Sequence, residues 1–247
     1  MRIAVLADIH GNLAALEAVL ADLGACAPDL VVNLGDHLSG PLEAARTADL
    51  LLAQRGWVNI RGNHDRQLVE HEPGAMGPSD RAAHEQIDDR HRAWLRSLAA
   101  SAIVAEDVHL CHGTPGSDAD YLLEEVSASG VSLASRETIR SRVGTAGGAV
   151  LCGHSHVPRL VLLEDGTAVL NPGSVGLQAY HDLDHPFPHA IEIGSPHARY
   201  ALLDRHRQGW RATFRAVDYD WAAAARMAAA GNRPDWAHAL LTGYALR

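Results

Sequence analysis

At 247 residues, 47% of them hydrophobic, the chain is long enough to bury one sizeable α/β core, and no apolar run approaches the roughly 18 residues of a membrane span. Its 30 acidic groups outnumber 21 basic ones, and the formal charge of -9 repels phosphate backbones and argues against broad nucleic-acid binding. The cysteines, Cys26, Cys111 and Cys152, show no CxxC spacing and have apolar neighbours, as buried reduced thiols do. No positive-then-apolar leader follows Met1, so a cytoplasmic protein is expected.

Residues 2–7 are apolar and β-branched and predict a buried strand with Asp8 at its carboxyl end. Leu13, Leu16, Val19, Leu20 and Leu23 recur at helical spacing, with Gly24 as the stop. A second strand is expected over 29–34, just before Asp36, then a helix from Pro41 to about Gln54. A short third strand over 57–60 leads into Gly62-Asn63-His64-Asp65. From Arg66 to about Ala100 the chain is polar and broken by Pro73-Gly74 and Gly77-Pro78; it reads as a helical, cap-like insertion with one long helix from Ser79.

A tight hairpin over 102–105 and 108–111, turning at Glu106-Asp107, delivers His112. In that strand Cys111 points away from the face His112 uses. Two helices are expected to fill 118–143. The strand 148–152 runs into Gly153-His154-Ser155-His156, and a hairpin over 157–163 and 167–170 precedes Asn171-Pro172-Gly173-Ser174. Residues 178–196 read as irregular, 200–203 and 210–217 as strands separated by Gln208-Gly209, and 219–247 as helix broken near 231–234. No repeat or low-complexity linker divides the chain, so one domain over 1–247 is expected. Strand–helix alternation comes first and antiparallel hairpins later. That order predicts an α/β fold of two packed mixed β-sheets flanked by helices, a four-layer α/β/β/α sandwich.

Asp8, Asp36, Asn63, His112 and His154 each follow an apolar strand, and ligands gather at the carboxyl ends of strands in α/β sheets. Buried carboxylates brought together repel unless a cation lies between them. Carboxylate, imidazole and amide oxygen together suit borderline divalent ions such as Mn, Fe, Zn, Ni or Co.

The series Asp8-x-His10, Gly35-Asp36, Gly62-Asn63-His64-Asp65, His112 and Gly153-His154-x-His156 resembles the calcineurin-like metallophosphoesterases, above all the small bacterial and archaeal phosphodiesterases among them. The resemblance implies two divalent ions, with manganese the first choice. Asp8, His10, Asp36 and His156 would hold one; Asp36, Asn63, His112 and His154 would hold the other. Asp36 would bridge ions roughly 3.5–4 Å apart. It further implies hydrolysis of small phosphodiester or nucleotide-type substrates by a bridging water, acidified by both ions, that attacks phosphorus in line. His64 matches the family histidine that contacts the phosphoryl group or protonates the leaving group.

In the phosphoprotein-phosphatase branch an aspartate three places beyond the GD motif orients that histidine. Here the position is Ser39, which leaves Asp65 as a candidate orienting group. Asn12 is either a substrate contact or the cap of the first helix, and Asn171 and Ser174 are expected to shape a turn beneath the site. The rival reading is a non-catalytic scaffold on the same fold, used for protein binding; such scaffolds typically lack the GNH histidine retained here as His64. A nuclease is a third reading, opposed by the acidic charge.

Overall fold

In the computed structural model, which describes residues 1–207 and 209–247, the chain opens with β1 (Arg2–Leu6), α1 (Leu13–Cys26), β2 (Leu30–Asn33), α2 (Ala44–Ala53) and β3 (Val58–Asn59). Three short helices follow: α3 (Asn63–Glu70), α4 (Pro78–His84) and α5 (Asp89–Ser97). Next come β4 (Ser101–Val104), β5 (Val108–Cys111), β6 (Glu124–Ser127), β7 (Gly130–Leu133), α6 (Arg136–Val143) and β8 (Ala149–Leu151). The chain closes with β9 (Arg159–Leu162), β10 (Ala168–Asn171), β11 (Ala179–Asp182), β12 (His189–Glu192), β13 (Ala198–His206), β14 (Gly209–Val217), α7 (Trp221–Ala230) and α8 (Pro234–Thr242).

Two five-stranded mixed sheets result, ordered β14-β13-β1-β2-β3 and β4-β5-β8-β10-β9. β1, β2 and β3 run parallel to one another, as do β5, β8 and β10, while the remaining ladders are antiparallel. Side-chain alternation builds the layers. Ile3 and Val5 of β1 join Leu110, Leu151 and Leu170 of the second sheet in an inner core. Ala4 and Leu6 face the other way, onto Leu16, Val19 and Leu23 of α1. On the far side Val150 and Val169 pack against Ile139 and Val143 of α6. This is the expected four-layer order of helix, sheet, sheet and helix.

Several local expectations are corrected. Helix α1 passes Gly24 and ends where Ala27 turns left-handed, its N–H on the Leu23 carbonyl. The expected long helix from Ser79 is two helices, because Asp88 accepts the His91 N–H at 3.0 Å and starts α5 afresh. α3 begins at Asn63 itself, and Leu68, Ala83 and Leu95 of the three helices pack on Ala44 and Ala48 of α2. Of the two helices expected over 118–143 only α6 forms. Before it β6 and β7 make a hairpin that turns at Gly130, whose φ of 108° a side chain would resist. Residues 179–192 also form a hairpin rather than irregular chain: Ala179, His189 and Ile191 are buried, and His181, Asp184 and Glu192 are exposed. The turn expected at Gln208 lies outside the described residues. No helix among the described residues is long and apolar enough to cross a membrane.

Candidate metal centre

Loops leaving β1, β2, β5 and β8 meet where the two sheets come together. The Asp8 N–H donates to the Gly35 carbonyl at 3.0 Å, and the Gly153 N–H to the His112 carbonyl at 2.7 Å. Nine non-glycine residues among the described ones have positive φ, and five of them are Asp8 (56°), His10 (52°), Asp36 (56°), His154 (67°) and His156 (59°). Each such conformation costs about 1–3 kcal/mol and persists only where neighbours over-determine it.

Those neighbours are visible. Asp65 accepts the backbone N–H groups of Asp36 (2.8 Å), His37 (3.0 Å) and Gly62 (2.9 Å). Ser174 donates its hydroxyl to the Asp8 carbonyl at 2.7 Å, and Asn171 donates to the Gly153 carbonyl at 2.6 Å. Both residues therefore do brace the turn beneath the site. A Cβ on Gly62 would overlap the Asp36 carboxylate, which is why glycine precedes Asn63.

The side chains form two groups. Ligand atoms of Asp8, His10 and His156 lie within 4.8 Å of one another, as do those of Asp36, His112 and His154. Asn63 joins the second group, its Oδ1 3.0 Å from His112 Nε2. Asp36 Oδ2 is 3.2 Å from the same nitrogen, and its Oδ1 accepts the His64 N–H at 2.9 Å. Asp8 Oδ1 reaches toward both groups, 3.6 Å from His156 Nε2 and 4.0 Å from His112 Nε2.

Every imidazole in the set has one nitrogen on a backbone carbonyl. Nδ1 of His10 donates to Ser39 (2.8 Å), of His112 to Leu34 (2.8 Å) and of His156 to Leu177 (2.7 Å). His154 is reversed, with Nε2 donating to Ala119 at 2.9 Å. A carbonyl only accepts, so the facing nitrogen carries the hydrogen and the other is bare in the neutral ring. The bare Nε2 atoms of His10 and His156 then lie 3.1 Å apart, and that of His112 faces two oxygens. Lone pairs at such distances repel unless positive charge lies among them, so the donor set fits cations.

Titration in the metal-free chain follows the same logic. Burial pushes His10 down to about 4 and His156 well below its usual value, so neither ring takes up a proton to relieve the contact. Burial lifts Asp8 to about 8. At His112 burial acts downward, but Asp36 beside it outweighs this and raises the ring to about 10. A proton thus takes the place of cationic charge there. Burial also acts upward on Asp36, but His112 and His64 hold it well below the usual carboxylate range.

His64 stands at the rim, its side chain one-third exposed. Its Nδ1 lies 2.8 Å from Oδ1 of Asp80, a nearly buried residue of α4. Burial would lower this ring, but Asp36 and Asp80 raise it to about 9. The orienting carboxylate is therefore Asp80 and not Asp65, which is fully engaged by backbone N–H groups and by His37 Nδ1 at 2.8 Å. The only sequence signal for Asp80 was an acid in the first turn of a helix that Pro78 opens.

Asn12 resolves as a cap. Its Oδ1 accepts the Ala15 N–H, its Nδ2 donates to the Gly176 carbonyl and to Tyr219, and it is 1% exposed. Cys111 and Cys152 lie in the outer core behind the second sheet, away from the ligands. Two residues that the sequence did not mark as ligand supports flank the histidine pair. The Tyr121 ring lies 5.0 Å from His154 and that of Tyr180 4.8 Å from His156.

The sequence matches the calcineurin-like phosphoesterase superfamily domain over residues 1–185. No curated protein matches it. Among solved structures, a metallophosphoesterase from Sphaerobacter thermophilus is 25% identical, with a TM-score of 0.72 over 97% of this chain and 98% of that one. A hypothetical protein from Pyrococcus horikoshii OT3 is 19% identical, with a TM-score of 0.74 over 98% of each chain. A putative diadenosine tetraphosphatase is 17% identical, with a TM-score of 0.51 over 86% of this chain and 93% of that one.

Proposed function

Because the chain belongs to the calcineurin-like phosphoesterase superfamily, we propose that it is a dinuclear metal-dependent phosphoesterase acting on small phosphodiester or nucleotide-type substrates. The supporting observation is the set of four imidazoles, each locked to a backbone carbonyl through one nitrogen and left bare at the other beside carboxylates or a second bare ring. Asp8, His10, Asp36 and His156 would hold one ion, and Asp36, Asn63, His112 and His154 the second. When bound, the ions supply positive charge for phosphoryl oxygens and acidity for water beside them. Manganese suits this mixed oxygen and imidazole set, as do Fe, Zn, Ni and Co.

The chain's own groups then have distinct tasks. The carboxylates Asp8 and Asp36 lie at the inner side of the site, shut off from solvent. His64, exposed at the rim, offers a proton to a phosphoryl or leaving oxygen. Asp80 holds that ring by Nδ1, which leaves Nε2 as the outward nitrogen. In this reading residues 1–247 act as one unit, and the helices between 66 and 100 contribute Asp80 to it. The three free cysteines fit a reducing, cytoplasmic setting.

The test is a panel of phosphomonoesters, diesters, cyclic nucleotides and dinucleoside polyphosphates with each divalent ion. Turnover of a chromogenic diester with manganese, abolished by chelator, is the expected result. No turnover of any substrate with any ion would overturn the enzymatic reading and leave the scaffold.

A further inference from the structure

The four imidazole anchors are not alike. Leu34, Ser39 and Leu177, which hold His112, His10 and His156, are buried. Ala119, which holds His154, is exposed in the loop between β5 and β6. That loop is shaped by short local bonds, Thr114 N–H to the Ser117 carbonyl at 2.8 Å and Ala119 N–H to the Ser117 hydroxyl at 3.2 Å. Such bonds set its local shape, and beyond Ala119 the Tyr121 hydroxyl ties the loop to Tyr180 at 2.9 Å and to His189 at 3.1 Å.

Before Ala119 the anchor is Asp118, which ties the loop to α3. Its carboxylate accepts from Arg66 through both Nε (2.7 Å) and Nη2 (2.9 Å). A two-point guanidinium–carboxylate contact defines orientation as well as distance. Arg66 lies three residues after Asn63 on α3, and so on the same helix face. The pair is partly buried, with 27% and 23% of the side chains exposed, so solvent weakens it less than a surface pair. The other bonds of His154 act on its backbone. Its N–H donates to Asp8 at 3.2 Å, and its carbonyl accepts from Tyr180 at 3.1 Å. The hydrogen bond that sets its ring is the one to Ala119.

We infer that Arg66 and Asp118 are positioning residues for His154: the ion pair bolts the carbonyl that orients this ring to the helix that carries Asn63. The inference rests on the two-ion reading. It makes the half of the centre formed by Asp36, Asn63, His112 and His154 the dependent one, while the half formed by Asp8, His10 and His156 stands on buried supports.

Calorimetric titration of the full chain with manganese tests it, using wild type, Arg66→Ala, Asp118→Asn and the double variant. Thermal melting of each metal-free form shows which variants are folded, and Asp118→Asn, which keeps the side-chain volume, stands in should Arg66→Ala fail. The expected result is two equivalents in wild type. Each single variant should keep one equivalent at unchanged affinity and bind the other about 10- to 100-fold more weakly. The double variant should be no worse than either single one, since both act through one contact. Unchanged affinity for both equivalents, equal weakening of both, or additive losses in the double variant would overturn the inference and leave the two-ion reading intact. A wild-type chain that takes up no second ion would overturn both.

Discussion

The two halves of the candidate centre are built differently. Asp8, His10 and His156 are at most 4% exposed, and their supports come from buried loops at the ends of β1, β2 and β10. The other half has a buried side, Asp36 and His112, and a side open to solvent at His64 and His154. Its supports reach into short helices and an exposed loop, through Asp80 to His64 and through Asp118 and Ala119 to His154. The closed half is held by short, buried contacts, and the open half by longer chains of contact that reach the surface.

Substitutions can break that contrast in order of severity. Asp36→Ala removes the carboxylate proposed to serve both ions and should abolish loading of either ion and all turnover; two metals per chain by elemental analysis would refute the bridge. His64→Ala removes a rim group that is not among the proposed ligands. It should leave metal content intact and lower turnover by on the order of a hundredfold or more, and unchanged kinetics would take His64 out of the mechanism. Asp80→Asn should lower kcat less than His64→Ala does, with KM and metal content retained; a loss of metal instead would assign Asp80 to the centre's frame.

The smallest effect is on metal-free stability. Asp8 is raised to about 8 and His112 to about 10, so the folded chain holds protons there that the unfolded chain releases at lower pH. Both groups therefore make the folded form less favourable as pH rises. His10 and His154, lowered to about 4, act the opposite way, but only below about 6.5, the ordinary histidine value. Between about pH 6.5 and 8 the metal-free chain should thus melt at progressively lower temperature, and manganese should remove the trend. A metal-free melting temperature that rises over this window would contradict the charge assignment.

The closed half was the more legible in sequence. Its residues follow continuous apolar, β-branched runs, as at Ile3 to Leu6, and its motifs are short and local. The open half depends on contacts that short motifs do not encode. Asp80 reaches His64 only because α4 docks on α2 through Ala83, a packing event with no local signature. Ala119 reaches His154 across 35 residues through a backbone carbonyl, which any residue type would offer. The hairpins at 124–133 and 179–192 were hidden for a related reason. Each is short and has a polar exposed face, so composition resembled helix in one and loop in the other. Left-handed backbone at five candidate ligand positions was equally silent, since the residues there are not glycine. Asn12 was ambiguous because capping and phosphate contact both call on asparagine; the cap is visible in the Ala15 N–H that its side chain accepts.

The central claim is that these residues form one centre for two ions that share Asp36. Anomalous diffraction from crystals saturated with manganese measures it directly. The expected map has two peaks, one within bonding distance of Asp8, His10, Asp36 and His156 and one of Asp36, Asn63, His112 and His154. A single peak at saturation, or two peaks that do not share Asp36, would contradict it.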